Sequence, residues 1–342
     1  MTLLLTGAAG FIGSALARAC AAGNAEPILA LDRMGYASSL AALPPLPAPH
    51  AFIQADIRDA ATLDSVLAQH RPRAIVHLAA ETHVDRSIDS PADFIDHNIV
   101  GSFQLLEAAR RYWQAQGRPQ HFRFIHVSTD EVFGSLHADE PAFAPDSPYR
   151  PNSPYSASKA ASDHLARAWH ATYGLPVMVT NCSNNYGPWQ FPEKLMPLII
   201  QKALAGQPLP IYGDGRQRRD WIYVDDHVAG LMAALERGRP GATYLFGAGQ
   251  DQANLDVVHA LCDELDRQRP SPLGSYRRLI TFVADRPGHD RRYAIDSQAT
   301  RVALDWQPQV DFAQGVARTV RWCLDNPDWA RRDHDGQRLG LG

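Results

Sequence analysis

The first half of the chain alternates short apolar runs with longer segments of helical pattern. Six runs have the composition of buried strands: LLLT (3–6), PILALD (27–32), AFIQAD (51–56), AIVHLA (74–79), FRFIHVS (122–128) and PVMVTN (176–181). Strands that alternate with helices in this way are typical of βα units. The pattern therefore predicts an α/β fold built on a doubly wound parallel sheet. Ligands of such sheets bind beyond the carboxyl ends of the strands.

The regular alternation ends after residue 181. Proline and glycine then interrupt the apolar positions, in NNYGP, FPEKLMP and IYGDG. We therefore expect residues 1–181 to form the sheet domain and residues 182–342 to form mainly a second, smaller lobe. Two segments near 220–250 could return to the first domain. Residues 219–235 have the pattern of a helix, and residues 242–247 have the pattern of a strand.

Composition and charge exclude several classes of partner. The chain has 342 residues, and its 33 basic and 37 acidic residues leave a net charge of -4. This balance gives no electrostatic basis for capturing nucleic acid or an anionic membrane. No apolar stretch approaches the roughly 20 residues that span a bilayer, and the N-terminus has no signal-peptide cleavage pattern. We expect a cytoplasmic protein that binds neither nucleic acid nor membrane.

The cysteines and histidines predict neither disulfides nor a metal site. Cys20, Cys182, Cys262 and Cys323 are widely spaced and form no C-x-x-C pair. The histidines include no H-E-x-x-H pair. We interpret the cysteines as reduced packing residues, and we expect no metal.

A glycine motif lies between the first strand and an alanine-rich helix. Gly7, Gly10 and Gly13 in TGAAGFIGS leave bare backbone where a pyrophosphate can approach the positive end of the helix. Asp32 ends the second strand, where a carboxylate can accept both ribose hydroxyls of adenosine and would repel a 2′-phosphate. These features predict a Rossmann domain that binds NAD. Arg33, next to Asp32, keeps NADP open as an alternative.

Loops at the ends of later strands extend the predicted cofactor site. DIRD (56–59) could place two residues beside the adenine, and HLAAETHV (77–84) would run along the cofactor. Loops at strand ends also carry such residues without any ligand, so both roles are hypotheses. The complete set of candidate cofactor-binding residues is Gly7, Gly10, Phe11, Ile12, Gly13, Asp32, Arg33, Asp56, Ile57, Leu78, Ala79, Ala80, Thr82, His97, Tyr155, Lys159 and Asn185.

The segment NSPYSASKA predicts the start of a helix, with Ser153 as the N-cap and Pro154 in the first turn. Tyr155 and Lys159 are then one turn apart on the same face. A phenol is a poor base at neutral pH, but a nearby ammonium stabilises the phenolate and lowers its pKa. The pair could remove a proton from an alcohol, although this spacing also arises in helices that have no catalytic role.

Together with the glycine motif and Thr129, this pair resembles the constellation of the short-chain dehydrogenases/reductases. The resemblance implies that Tyr155 is the acid/base and that Lys159 supports it and binds the cofactor ribose. It further implies that Thr129 donates its hydroxyl to the reacting oxygen.

Two adjacent carboxylates follow the fifth strand in STDEVFG (128–134). Asp130 and Glu131 could be polar loop residues that mark the end of the strand. A simple alcohol dehydrogenase has no need for them. They would be useful if oxidation of a sugar at C4 were followed by loss of water. A base must then take the acidified C5 proton while an acid protonates the leaving C6 hydroxyl.

Nearly the whole chain resembles the dTDP-glucose 4,6-dehydratases, which belong to the extended branch of the same superfamily. The motifs that carry the resemblance are TGAAGFIGS, LAAETHVDRSI, STDEVFG, YSASKA, TNCSNNYGP, FPEKLMP, YGDG, RDWIYVDDH and ADRPGHDRRYAID. The resemblance implies dehydration of dTDP-glucose to dTDP-4-keto-6-deoxy-glucose, with Asp130 as the acid for the C6 hydroxyl and Glu131 as the base at C5. It also implies that NAD stays bound and returns its hydride to C6. A homodimer joined through two helices of each subunit is implied as well.

The same resemblance implies a set of contacts with the sugar nucleotide. Arg219 and Arg286 suit diphosphate oxygens, and Asn184 and Lys194 suit sugar hydroxyls. The complete set of candidate substrate-binding residues is Thr82, Thr129, Asn184, Lys194, Leu195, Pro210, Ile211, Tyr212, Arg219, Asn254, Asp285, Arg286, Pro287, Gly288 and His289.

One departure from the family pattern follows the second strand. The family commonly has DKLTYAGN there, whereas this chain has DRMGYASS, so Gly35 offers no hydroxyl to the adenosine ribose. Three alternatives stay open: another NDP-hexose 4,6-dehydratase, a sugar-nucleotide 4-epimerase, and a non-catalytic NAD-binding regulator. An epimerase has no need for Asp130 and Glu131. A regulator would be expected to lose Tyr155, Lys159 or the acidic pair.

Overall fold

The computed structural model describes residues 2–23, 26–285 and 287–330. The strands, in chain order, are β1 (Leu3–Thr6), β2 (Ile28–Asp32), β3 (Ala51–Gln54), β4 (Ala74–His77), β5 (Arg123–Thr129), β6 (Val177–Cys182), β7 (Asn184–Tyr186), β8 (Leu209–Tyr212), β9 (Arg218–Tyr223), β10 (Thr243–Phe246), β11 (Asp251–Ala253), β12 (Ile280–Val283) and β13 (Arg292–Tyr293).

The α-helices are α1 (Phe11–Ala22), α2 (Ala60–His70), α3 (Val84–Asp89), α4 (Pro91–Phe94), α5 (Gly101–Ala115), α6 (Pro154–Tyr173), α7 (Leu195–Leu204), α8 (Val224–Arg237), α9 (Asn254–Gln268), α10 (Gln298–Leu304), α11 (Phe312–Asp325) and α12 (Pro327–Ala330). Short 3-10 turns occupy Leu40–Ala42, Asp130–Phe133 and Tyr276–Leu279, and a π-helical segment occupies Ile95–Val100.

Seven parallel strands form the main sheet, in the order β10-β6-β5-β4-β1-β2-β3. The predicted doubly wound α/β fold is therefore confirmed, and each of the six predicted strands begins and ends within two residues of its apolar run. From β1 the chain builds outward to β2 and β3 on one side, then returns to place β4 on the other. Such a switch point opens a crevice for ligands, here beyond Thr6 and His77 at the strand ends.

The helix predicted over residues 219–235 is wrong in its first part. Residues Arg218–Tyr223 form a strand, and the helix begins only at Val224. The strand pairs with β7, β11 and β13, and its residues Trp221, Ile222 and Tyr223 are of types that favour strands. Pairing with β7, β11 and β13 thus determines the conformation of this segment.

The strand predicted over residues 242–247 is confirmed as β10, which extends the main sheet beside β6. Helix α8 packs against α1 on one face of that sheet. Both elements follow residue 181 in the chain but lie with the first domain. The division of the remaining chain at residue 181 stays a prediction.

Apolar clusters lie on both faces of the main sheet. Leu3 and Leu5 of β1 point toward α1 and α8, whereas Leu4 points toward α2 and α5. This alternation follows from the two-residue period of a strand. A third cluster lies where α7, α9 and α11 pack against β8 and β9, away from the main sheet.

All four cysteines are buried free thiols. Within residues 2–23, 26–285 and 287–330, no helix has the length and apolar character needed to cross a membrane.

Candidate active site

One cavity runs along the carboxyl ends of β1, β2, β4, β5 and β6. It gathers most of the residues predicted to bind a cofactor: Gly7, Gly10, Phe11, Ile12, Gly13, Asp32, Arg33, Ile57, Leu78, Ala79, Ala80, Thr82, His97, Tyr155, Lys159 and Asn185. The five predicted catalytic residues, Thr129, Asp130, Glu131, Tyr155 and Lys159, line the same cavity. The structure therefore brings both groups to the switch point of the sheet.

The glycine loop between β1 and α1 leaves no room for side chains at two positions. A Cβ atom on Gly7, whose φ is +68°, would lie 2.6 Å from the nitrogen of Ala79. A Cβ atom on Gly13 would lie 2.1 Å from the carbonyl oxygen of Gly7. At the N-terminus of α1, Gly10 provides no side-chain cap. The exposed amides and the positive helix end therefore fit a pyrophosphate.

Asp32 is held rigidly at the end of β2. The backbone amide of Ala9 donates to its Oδ2 at 2.9 Å, and the amide of Met34 donates to Oδ1 at 2.8 Å. The hydroxyl of Ser38 also donates to Oδ1, at 2.8 Å. Ser38 lines the cavity. It is not identified from the sequence, where only the hydroxyl that Gly35 lacks is considered. The structure places a hydroxyl at this carboxylate three residues later.

Two predicted cofactor residues near the adenosine end are engaged in ion pairs. Arg33 donates to the carboxylate of Glu81, and both residues line the cavity. Asp56 does not line it, because its carboxylate faces Arg58, whose Nη2 donates to Oδ2 at 2.8 Å. The neighbouring Ile57 does line the cavity. The position of Asp56 beside the adenine stays a prediction.

The helix that carries the tyrosine and lysine begins as predicted. The Ser153 hydroxyl accepts a hydrogen bond from the amide of Ser156 at 3.1 Å, and Pro154 occupies the first turn. Tyr155 and Lys159 are 7% and 4% exposed, and both line the cavity. The predicted helix start, with both side chains on one face, is confirmed.

The pKa of Tyr155 is not lowered in this structure, and the support expected from Lys159 stays a prediction. Burial raises the pKa of the Tyr155 phenol well above its ordinary value, and the negative charge of Glu131 raises it further. A hydrogen bond with the Thr129 hydroxyl lowers the pKa, but by less than burial and Glu131 raise it. The ammonium of Lys159 instead donates to the carbonyl oxygen of Val127 at 2.9 Å. Desolvation therefore dominates the phenol here.

Asp130 begins a 3-10 turn directly after β5. The Thr129 hydroxyl accepts a hydrogen bond from the amide of Glu131 and donates to Asp130 Oδ1, both at 3.3 Å. Asp130 is 1% exposed, and its Oδ2 atom has no hydrogen-bond partner among the described residues.

Burial raises the pKa of Asp130 well above its ordinary value, and the charges of Glu131 and Asp220 raise it further. The nearby Arg219 offsets part of this effect. The carboxyl group is therefore biased toward its protonated form, which can donate a proton. Glu131 is less buried and also lines the cavity.

The predicted substrate residues divide into two groups. Thr82, Thr129, Asn184 and Lys194 line the cavity. The Lys194 ammonium donates to the carbonyl oxygen of Thr82 at 2.9 Å. The others lie outside its lining: Leu195, Pro210, Ile211, Tyr212, Arg219, Asn254, Asp285, Pro287, Gly288 and His289. Arg286 lies outside the described residues.

Three residues of the second group form a cluster of their own. His289 Nδ1 lies 2.6 Å from Asp285 Oδ1, and the His289 ring packs edge-on against Tyr212 at 5.9 Å. The Tyr212 hydroxyl donates to Asp85 Oδ2 at 3.0 Å. Arg219 Nη2 donates to the carbonyl oxygen of Asp290, directly after His289, at 2.9 Å, and its guanidinium lies 4.1 Å from the centre of the Tyr293 ring.

Comparison with known proteins identifies the family. A family model described as GDP-mannose 4,6 dehydratase matches residues 4–319. A dTDP-glucose 4,6-dehydratase of Neisseria meningitidis is 51% identical over 351 residues, which cover 99% of each chain. The solved structure of a dTDP-glucose 4,6-dehydratase from Streptomyces venezuelae, with NAD bound, covers 96% of this chain and 98% of its own, at 44% identity and a TM-score of 0.88. The chain belongs to the dTDP-glucose 4,6-dehydratases of this family.

Epimerases share the architecture of the dTDP-glucose 4,6-dehydratases. The solved structure of a UDP-glucose 4-epimerase from Thermus thermophilus, in complex with NAD, matches at 27% identity and a TM-score of 0.82. It covers 94% of this chain and 98% of its own. The fold therefore does not separate the two activities, and the distinction rests on side chains in the cavity.

Glu193, within the motif FPEKLMP, is a further cavity residue that the sequence analysis does not identify. Glu193 is 7% exposed and accepts a hydrogen bond from the Tyr36 hydroxyl at 2.8 Å. Its Oε2 also lies 3.5 Å from Arg86 Nε. A buried carboxylate beside the predicted Lys194 was the available signal. Among the described residues, no group of three or more His, Cys, Asp or Glu side chains could hold a metal ion.

Proposed function

We propose that this protein dehydrates dTDP-glucose to dTDP-4-keto-6-deoxy-glucose, with NAD as a bound cofactor. The observation that carries the proposal is the buried Asp130 beside Glu131, in the same cavity as Tyr155 and Lys159. Two carboxyl groups in different environments suit an acid and a base that act on one substrate. The names of the relatives support the substrate and its thymidine nucleotide.

The glycine loop and Asp32 support NAD as the cofactor. Bare backbone at Gly7 and Gly13 admits a pyrophosphate, and the Asp32 carboxylate disfavours the 2′-phosphate of NADP. Arg33 does not reverse this preference, because its charge is already paired with Glu81. When bound, NAD accepts a hydride from C4 of the sugar and later returns one to C6.

The side chains of the cavity supply the proton transfers. Tyr155 takes the proton from the C4 hydroxyl as a phenolate, which the positive charge of Lys159 stabilises, and Thr129 donates a hydrogen bond to the same oxygen. Once C4 is a ketone, Glu131 removes the acidified proton at C5. Asp130 gives its proton to the C6 hydroxyl, which leaves as water. When C6 receives the hydride, C5 takes back a proton from Glu131 that has exchanged with solvent, so the net change is the loss of one water molecule.

The acidic pair favours dehydration over epimerisation. An epimerase oxidises C4 and reduces it again from the other side, so no group has to leave from C6. The raised pKa of Asp130, caused by burial and by the charges of Glu131 and Asp220, suits a group that must donate a proton at neutral pH. An active site that only oxidises C4 and reduces it again has no step that needs such an acid.

Contacts with the nucleotide complete the proposal. Asn184 and Lys194 line the cavity and suit the sugar hydroxyls. The residues outside the lining, above all Arg219 and the segment from Asp285 to His289, are proposed to bind the nucleotide diphosphate and its base. The positive charge of Arg219 also lowers the pKa of Asp130, the proposed acid, which supports a position of Arg219 close to the substrate.

Two finer statements belong to the same proposal. We infer a homodimer from an apolar surface on the π-helical segment, α5 and α6. Ile95, Val100, Phe103 and Tyr173 are each more than a third exposed, which is unusual for large apolar side chains clustered on neighbouring elements. We also expect a cytoplasmic location, which the four free thiols support.

The direct test incubates the purified protein with dTDP-, UDP-, GDP- or CDP-glucose and measures the mass of the product. We expect dTDP-glucose to lose one water fastest, without net formation of NADH. The variant Tyr155→Phe should lower the rate by about 10²- to 10⁴-fold, because it removes one acid/base group. Tyr276→Phe, which changes a tyrosine outside the cavity lining, is the matched control. A product of unchanged mass and inverted C4 configuration would identify an epimerase instead.

A further inference from the structure

A buried carboxylate outside the cavity lining lies one helical turn beyond Lys159. Asp163 of α6 is 0% exposed. Its Oδ2 atom accepts hydrogen bonds from the Tyr149 hydroxyl at 2.7 Å and from Asn181 Nδ2 at 3.0 Å. Its Oδ1 atom lies 3.1 Å from His126 Nε2. Two donors to Oδ2 and an imidazole nitrogen close to Oδ1 form the surroundings expected of a buried carboxylate that carries a charge.

The charge of Lys159 needs compensation. The side chain is 4% exposed, and its ammonium donates to a neutral partner, the carbonyl oxygen of Val127. A buried ammonium is costly unless an anion lies nearby. Asp130 is unsuited to this task, because burial and nearby charges raise its pKa and favour its neutral form. Asp163, at the i+4 position of the same helix, is placed to supply the anion.

The ionisation of the neighbouring groups agrees with a Lys159–Asp163 pair. Burial alone would raise the pKa of Asp163, but the interactions with His126, followed by the positive charge of Lys159, outweigh it and lower the pKa. Burial lowers the pKa of His126, so that the imidazole is neutral at pH 7. The charge of Asp163 is therefore left to balance Lys159.

Asp163 also reaches the catalytic strand end through a second route. Asn181 of β6 donates from one amide nitrogen to both Asp163 Oδ2 and the carbonyl oxygen of Thr129, each at 3.0 Å. Thr129 directly precedes Asp130 and Glu131. One buried carboxylate thus contacts the elements that carry both halves of the proposed chemistry.

We propose that Asp163 is a positioning residue that keeps Lys159 charged and, through Asn181, orients the end of β5 that bears the acidic pair. This inference rests on the proposed role of Lys159 in supporting Tyr155. Asp163 itself lies outside the cavity lining, so it acts on the reaction only through these neighbours.

Other titratable groups surround this pair and have to be considered in any titration. They are Tyr155 and Arg167 on the same helix, Tyr149 before it, His77 on β4, His126 on β5, Asp130 and Glu131 after β5, Cys182 on β6, and His97 in the π-helical segment.

The composition of the chain makes a direct test practical. Lys159, Lys194 and Lys202 are its only lysines, so protein grown with ¹³C-labelled lysine gives three resolvable side-chain signals. The variants Lys194→Arg and Lys202→Arg assign two of them and leave Lys159. We expect Asp163→Asn, which keeps the shape and removes the charge, to lower the titration midpoint of Lys159 by about 1 to 3 pH units.

Tyr149→Phe is the matched control. It removes a hydrogen bond to the same carboxylate but leaves the carboxylate charge, so the Lys159 midpoint should stay in place. An unchanged midpoint in Asp163→Asn, or an equal shift in both variants, would overturn the inference. Neither result depends on turnover. If the wild-type protein dehydrates no sugar nucleotide, the proposed function fails while this titration still decides the role of Asp163.

Kinetics separate a positioning role from a purely structural one. In Asp163→Asn the alkaline limb of the kcat profile should move to lower pH along with the Lys159 midpoint, and activity should recover as the pH falls. A loss of kcat by the same factor at every pH would contradict the inference.

A second comparison covers the case in which Asp163→Asn does not fold. Lys159→Met leaves Asp163 as an unpaired buried anion, whereas the double variant Lys159→Met/Asp163→Asn leaves neither charge. We expect a higher Tm for the double variant than for Lys159→Met, since the two charges compensate each other. A Tm for the double variant equal to or below that of Lys159→Met would overturn the pairing.

Discussion

Asp130 and Glu131 share one 3-10 turn, yet Asp130 is 1% exposed whereas Glu131 is partly open to the cavity. This difference in exposure arises within a single 3-10 turn. It divides two identical functional groups into a desolvated acid and a more accessible base. The same carboxyl chemistry can therefore serve two opposite steps on one substrate.

The first prediction concerns the acid. Asp130→Asn should lower the rate of water loss by about 10²- to 10⁴-fold, because the C6 hydroxyl would leave without a proton. Exchange of the C5 proton with solvent should stay measurable by mass spectrometry in deuterated buffer, since Glu131 is intact. Asp146→Asn, on an exposed loop, is the control and should behave as the wild type. Wild-type dehydration by Asp130→Asn would remove this residue from the mechanism.

The second prediction concerns stability and pH. Burial first, then the charges of Glu131 and Asp220, raise the pKa of Asp130, so the folded state holds this proton more tightly than the unfolded state. The contribution to stability is complete below the ordinary carboxyl pKa and is lost as pH rises through the folded-state value.

Asp130→Asn is neutral at every pH and should escape this loss. We expect its free energy of unfolding to match the wild type near about pH 4. The variant should then gain about 1–3 kcal/mol as pH rises, a typical cost of a buried polar group without a partner. Chemical denaturation at several pH values measures the difference. A difference that shrinks with rising pH would show that Asp130 is ionised in the folded protein at little cost.

The third prediction concerns the glycine loop. Gly13→Ala should reduce the cofactor content of the purified protein and lower stability by about 1–3 kcal/mol, because its Cβ would meet backbone atoms that cannot move aside. The closest is the Gly7 carbonyl oxygen, at 2.1 Å. Gly23→Ala is the matched control: its Cβ would lie 3.4 Å from the nearest atom, and its φ of -77° suits alanine. Equal effects of both variants would contradict this account of the loop.

Some of this site could be predicted from sequence because its residues lie within short motifs. The distance along the chain from Gly7 to Gly13, and from Tyr155 to Lys159, fixes their relation once the strand and helix form. The strand Arg218–Tyr223 could not be predicted in this way, because its conformation depends on partners elsewhere in the chain. Its sequence runs directly into a helix, which concealed the boundary.

Contacts between distant loops account for the residues that sequence reasoning missed. The Tyr36–Glu193 hydrogen bond joins positions 157 residues apart. Both residues lie within motifs of the sequence, but their contact depends on loops whose paths are set by packing. The network around Asp163 has the same character, because Tyr149 and Asn181 reach it from a loop and from a separate strand. In the sequence pattern of α6 alone, Asp163 is one polar position among several.

The fourth prediction concerns assembly. Phe103→Asp places a charge within the apolar surface on α5 and α6 and should convert a dimer into monomers, as measured by light scattering after size exclusion. Val302→Asp is the control, because Val302 is 75% exposed on α10, away from that surface. If Phe103→Asp stays dimeric, or the wild type is monomeric, this surface does not join two copies of the chain.

The fifth prediction tests the central claim most directly, through the fate of the C5 proton. Wild-type protein turning over dTDP-glucose in deuterated buffer should release a product that lacks one water and carries deuterium at C5. Glu131→Gln should lower both water loss and deuterium incorporation by about 10²- to 10⁴-fold, because the base at C5 is gone. Asp130→Asn should retain C5 exchange. If Glu131→Gln dehydrates the sugar at the wild-type rate with full deuterium at C5, the two carboxylates do not divide the work of acid and base.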